Sequence, residues 1–173
     1  KPTGLNAGSI SLHDFAYGSG KFIILNNVNF TNTSDVALGL RIDCDEPCHF
    51  EIILKGNNRI EASLPIYIAG NTPGSVYIKA SASATTTPYL QLVASSQTGI
   101  DVRCPNLTFQ DIDFLIQGKD GGITGSQGYS SGDYTLSFRN CHGGVYDQAT
   151  TTQGAINHFK SVSYSDSYYR GHV

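Results

Sequence analysis

The chain contains no methionine and no tryptophan, and only 14% of its 173 residues are charged, against about 25% in an ordinary globular domain. Eleven Lys and Arg against fourteen Asp and Glu leave a formal net charge of −3. With no basic stripe anywhere, nucleic acid and an anionic membrane surface are excluded as partners. No apolar run approaches the roughly 18 residues of a helical membrane span, and no stretch repeats its apolar residues at helical spacing. A charged n-region followed by an apolar h-region is also missing from the start.

What is present in quantity is Gly (19), Tyr (10) and many Asn, Ser and Thr. A chain solubilised by amides and hydroxyls rather than charge suits an exported or cell-surface protein. Asn29-Phe30-Thr31, Asn32-Thr33-Ser34 and Asn106-Leu107-Thr108 fit the glycosylation sequon, but in so Asn-rich a chain they carry no weight. Of the four cysteines, Cys44 and Cys48 flank Asp45-Glu46-Pro47 and are candidates for a local disulfide, the alternative being small buried thiols.

The organising feature is a repeat. One phrase, an apolar pair spaced by one residue, recurs as Ile10-x-Leu12, Leu40-x-Ile42, Ile66-x-Ile68, Ile100-x-Val102, Gly122-Ile123 and Gly144-Val145. A second alternates with it around Leu25, Leu54, Ile78, Phe109, Phe138 and Phe159, spaced by 29, 24, 31, 29 and 21 residues. Period-two alternation marks strands with one apolar face. Self-similarity at this period marks a stack in which each unit buries its face against its neighbours. We therefore expect an all-β, right-handed parallel β-helix of about six coils with three short strands per coil. Residues 8–164 would form the coils and 165–173 a tail or cap, all in one domain. Asn27, Asp111 and Asn140, and more loosely Ser161, share the position after the second phrase, where a short polar side chain tolerates a tight bend. Long loops are expected around Ala80–Pro88, Lys119–Asp133 and Asp147–Gln153.

The phrases "NLTFQDIDF" (Asn106–Phe114) and "LSFRNCHGG" (Leu136–Gly144) resemble the recurring coil phrase of the pectin-lyase-like group of β-helix proteins. "IILKGNNRI" (Ile52–Ile60) is similar to coils of bacterial surface β-helix domains that bind carbohydrate. The resemblance covers residues 8–164 and implies a β-helix that is either catalytic or a binding module, since the group holds both.

Lyases of that group use an acidic cluster for calcium and an Arg or Lys base. The resemblance points for these to Asp101, Asp111 and Asp113, with Arg103 and Lys119 nearby, which makes Ca²⁺ the one candidate cofactor. A second acidic knot is Asp43-Cys44-Asp45-Glu46, read as a solvated turn. Hydrolases of the group carry Asn-Thr-Asp, Asp-Asp, Gly-His-Gly and Arg-Ile-Lys. Here Arg41-Ile42-Asp43 and His142-Gly143-Gly144 are incomplete versions and the first two motifs are absent. His142 beside Cys141 is no nucleophile pair, because adjacent strand residues diverge, and Cys141 falls in an inward slot. The Gly-rich stretch 118–132 lacks the Lys-Ser/Thr and helix of a phosphate loop.

Aromatic residues offer another chemistry: sugar C–H faces stack on exposed rings while hydroxyls reach flanking polar groups. Tyr67 and Tyr77 alternate with inward residues and should face solvent; Tyr129 and Tyr134 lie in polar loops, as do Tyr17 and Tyr89. The expected role is a non-catalytic extracellular or cell-surface module that binds a polysaccharide or other glycan. A structural or adhesin-like stalk is the alternative, and a polysaccharide lyase the second alternative. Neither end reads as a clear cap. The expectation is a part of a longer surface protein or an end-to-end homo-oligomer, with Tyr164, Tyr168 and Tyr169 covering one end.

Overall fold

The computed structural model describes residues 3–16, 20–44, 49–70, 74–103, 106–125, 135–147 and 154–170, with the backbone alone at 44, 70 and 168–170. Tyr129, Tyr134 and the Cys44–Cys48 pairing lie outside the described residues. Among them there is no helix, and every long-range strand pairing but one is parallel.

The chain enters on β1 (Leu5–Asp14) and then winds through successive coils. The first is β2 (Lys21–Asn32) and β3 (Leu38–Cys44), and the second β4 (His49–Lys55), β5 (Asn57–Ala62) and β6 (Leu64–Gly70). The third is β7 (Ser75–Ala80), β8 (Tyr89–Ala94) and β9 (Ile100–Val102), and the fourth β10 (Asn106–Gln110), β11 (Asp113–Gly118) and β12 (Ile123–Gly125). Then follow β13 (Thr135–Arg139), β14 (His142–Asp147) and β15 (Ile156–Asn157), and finally β16 (Ser161–Ser165) and β17 (Tyr168–Arg170). The result is a parallel β-helix with three faces. The first face stacks the front half of β2 with β4, β7, β10, β13 and β16; the second stacks its back half with β5, β8, β11, β14 and β17; the third stacks β3, β6, β9, β12 and β15. The expectation of about six coils is slightly high, because the last winding supplies strands to two faces only.

Like residues pile into columns because parallel in-register pairing puts equivalent side chains one strand spacing apart. On the first face Ile23, Ile52, Ile78, Phe109, Phe138 and Tyr164 share a register. On the second Phe30, Ile60, Leu92, Ile116 and Val145 do, and on the third Leu40, Ile66, Ile100, Ile123 and Ile156. One continuous core results, with Leu25, Leu54, Ile78 and Phe109 all fully buried.

The bend between first and second faces is a one-residue left-handed turn at Asn27 (φ 50°), Gly56 (φ 65°), Asp111 (φ 57°), Asn140 (φ 50°) and Asp166 (φ 49°). Asn and Asp tolerate this conformation better than other side-chain-bearing residues. The bend position of the last coil is thus Asp166, not Ser161. At Gly56 a side chain would also overlap the Asn27 amide, whose Oδ1 accepts from the Asn57 N–H at 3.1 Å. Asn58, 1% exposed, completes the corner: its Oδ1 accepts from the Val28 N–H at 2.9 Å and its Nδ2 donates to the Lys55 carbonyl at 3.1 Å.

Four further sequence expectations change. Leu25 and Leu54 pair with each other and with Ala80, one inward position beyond the column that holds Ile78 and Phe109. Gly144-Val145 belongs to the second face, and Ala155-Ile156 supplies the fifth repeat of the third. The last copy of the second phrase is centred on Tyr164, which pairs with Phe138, rather than on Phe159. Ile10-x-Leu12 is not part of a coil at all. It lies in β1, which runs antiparallel along β2 with Ile10 opposite Leu25 and covers the open hydrogen-bonding edge of the first coil. A cap therefore does exist at that end of the first face.

Candidate functional site

The predicted acidic set is not brought together. Asp101 sits on the third face, where Arg103 Nη2 donates to it at 3.3 Å. Asp111 occupies the left-handed bend and accepts from Asn140 Nδ2 at 2.9 Å. Asp113 lies on the second face, 3.6 Å from His142 Nδ1. Three carboxylates in one local segment of sequence diverge because a β-helix sends successive strands to different sides. Among the described residues no group of three His, Cys, Asp or Glu could hold a metal ion. Cys141 is fully buried with its Sγ against the Arg139 carbonyl, and burial pushes its thiol pKa up, so it is a core thiol as read from its slot.

The two described candidate tyrosines differ. Tyr67 faces outward on the third face, between Arg41 and Asp101 of the neighbouring strands. The guanidiniums of Arg41 and Arg103 lie over its ring at 5.4 and 5.7 Å from the centroid. Its aromatic surface is committed to these cations.

Tyr77 stands in a file of rings that climbs the outside of the first face. His13 stacks on Phe22 at 4.9 Å, and Phe15 packs on Phe22 at 5.1 Å and on His49 at 5.6 Å. His49 continues to Tyr77 at 5.3 Å. The rings come from the cap strand, the segment after it and three coils. Their outward direction follows from register: Phe22, Glu51 and Tyr77 are equivalent positions whose strand neighbours Ile23, Ile52 and Ile78 point into the core. Glu51 is set between rings, its side chain 11% exposed, 3.0 Å from Lys79 Nζ and 3.9 Å from His49 Nε2. His49 Nδ1 also hydrogen-bonds Ser75 Oγ at 2.8 Å. A ribbon of apolar ring faces edged by a carboxylate, an ammonium, imidazoles and a hydroxyl can hold a ligand that is itself apolar on one face and hydroxylated at its rim.

A second feature arises where the tight bend fails. The third coil replaces the single left-handed residue with the segment 81–88, which stands out as a ridge. On one side lies an open groove of about 500 Å³ reaching Gln110, Asp111 and Asn140, and on the other a groove of about 700 Å³ over the second face, with Asn29, Asn57, Tyr89 and Gln91 in its lining.

Only Tyr77 of the ring file was in the predicted site. Phe22 was detectable, since it alternates with inward Ile23. His13 and Phe15 were not, because they reach the file through an antiparallel cap that the repeat period does not encode. No protein-family model, no curated protein and no solved structure matches this chain.

Proposed function

We propose that the chain is a non-catalytic, extracellular or cell-surface β-helix module that binds a polysaccharide along the aromatic file of its first face. The observation that supports this is the unbroken succession of ring contacts from His13 through Phe22, Phe15 and His49 to Tyr77 on an outer surface. Outward rings are not needed to fill the core, and the same register in later coils carries Thr108, Ser137 and Ser163 instead. An elongated platform suits a chain of sugar units, with Glu51, Lys79 and His49 placed to take hydroxyls. The lyase reading is disfavoured because Asp101, on the third face, stands apart from Asp111 at the bend and Asp113 at the start of the second face.

The test is retention on a panel of immobilised polysaccharides. Wild type should be retarded by at least one polymer, and Tyr77→Ala and His49→Ala should each weaken retention by about tenfold, the scale of one stacked or hydrogen-bonded contact. Unaltered retention in both variants, or release of unsaturated uronate from pectin or alginate, would defeat the reading.

A stalk that associates end to end is the second reading. It is favoured by Tyr164, 43% exposed at the last rung of the inner aromatic column, and by Val36 (86%) and Leu38 (37%) at the opposite end. Sedimentation that stays monomeric at all concentrations would remove it.

A further inference from the structure

Elsewhere on the outer surface, several polar side chains are paired with a neighbour on the same or the next coil. Asn140 donates to Asp111 at 2.9 Å and Ser163 to Ser137 at 3.0 Å, and Asn106 Oδ1 accepts from the Thr135 N–H at 2.8 Å. The larger groove beside the ridge is different. The side-chain amides of Asn29, Asn57 and Gln91 and the Tyr89 hydroxyl have no hydrogen-bond partner among the described residues, yet all four line one recess.

Register explains how they converge. Asn57, Tyr89 and Asp113 are paired across three adjacent strands, and Asn29, Arg59 and Gln91 form the next outward row across β2, β5 and β8. Strands about 4.8 Å apart make each row about 10 Å long, the footprint of one or two sugar rings. Thr87 on the ridge closes one side. Tyr89 is half-buried, and burial together with the Asp113 carboxylate pushes its pKa up, which keeps the phenol protonated as a donor.

We propose that this groove is a second ligand site that takes a neutral, hydroxyl-rich sugar unit, stacked on Tyr89 and hydrogen-bonded by Asn29, Asn57 and Gln91. The charge argument sets the class. Arg59 is paired with Glu61, and Asp113 faces the groove with His142 3.6 Å away, so the charges around the groove are already paired and an acidic sugar would meet a carboxylate and gain no unpaired cation. Amides, which both donate and accept, match the hydroxyls of a neutral sugar. The inference deepens the glycan-binding reading, but it rests on a different face and on different residues.

The experiment is NMR or calorimetric titration of the full chain with neutral gluco-, manno- and galacto-oligosaccharides and, separately, with oligogalacturonate. At least one neutral probe should bind. Tyr89→Ala and Gln91→Ala should each lower its affinity by roughly tenfold, equivalent to one lost contact, whereas Tyr77→Ala should not. Gln91→Ala, at an outward position, guards against misfolding of the tyrosine variant, and circular dichroism checks both. Three outcomes overturn the groove: no neutral probe binds, only oligogalacturonate binds, or the neutral probe is insensitive to both groove variants. If its binding is lost on Tyr77→Ala alone, the groove fails while the aromatic file stands. If the groove variants respond and polymer retention ignores Tyr77, the file fails while the groove stands.

Discussion

In the two columns that run through Ile52 and Glu51, the first face carries its rings on opposite sides in its two halves, with Phe50 packing inward in a neighbouring column. In the first three coils the inner column is aliphatic (Ile23, Ile52, Ile78) and the outer one holds Phe22, Glu51 and Tyr77. From the fourth coil onward the inner column is aromatic (Phe109, Phe138, Tyr164) and the outer one is Thr108, Ser137 and Ser163. The inner rings stack at 5.1 Å (Phe109–Phe138) and 5.5 Å (Phe138–Tyr164), much as the outer rings do. The contacts are alike but the physical demands differ. An interior must be filled to crystal-like density, so rings there are explained by packing. A solvent face has no such filling demand, and this difference is why the proposed binding surface is placed on the outer rings.

The sharpest way to break this contrast is to remove an inner ring. Phe138→Ala should cost about 3–5 kcal/mol through lost burial and the cavity left behind, read as a fall in the denaturant midpoint. A loss under about 1 kcal/mol would show the inner column to be loosely packed. Next comes the corner that joins the two faces: Asn58→Ala leaves the buried Val28 N–H unpaired and should cost about 1–3 kcal/mol by the same measurement. Tyr77→Ala should then move stability by less than about 1 kcal/mol while weakening polysaccharide retention. A large drop in melting temperature would mean that the outer file is structural after all. The smallest effect concerns Cys141. Burial raises its pKa, so on raising the pH the unfolded chain ionises first. Its contribution to stability is complete below the ordinary thiol value of about 8.5 and is lost as pH climbs through the higher folded-state value. Cys141→Ala should flatten the alkaline decline of the melting temperature relative to wild type.

Much of the architecture is readable in the chain. The repeat period, the inward direction of Leu25, Leu54, Ile78 and Phe109, and the bends at Asn27, Asp111 and Asn140 all follow from local pattern, because alternation and left-handed tolerance are properties of a few neighbouring residues. Errors came where the same local pattern serves several places. Gly144-Val145 and Ile156 carry equivalent strand signals, and only coil-to-coil register assigns one to the second face and the other to the third. Similarly, Phe159 and Tyr164 both fit the repeating phrase, and the pairing of Tyr164 with Phe138 chooses between them.

The candidate surface was less readable. Tyr67 and Tyr77 look the same in sequence, each between two inward aliphatic residues. They diverge because Tyr67 has arginines from adjoining strands over its ring, whereas Tyr77 has His49 beside it and, through His49, Phe15 and Phe22.

From the sequence alone come the winding of the chain and the residues that face its interior, since these depend on periodicity and on the short-range conformational preferences of Asn, Asp and Gly. Tertiary structure alone decided which outward side chains meet. Neighbours on a β-helix surface are about 25–30 residues apart along the chain, and loop length and the antiparallel cap, which follow no period, set which of them stand side by side.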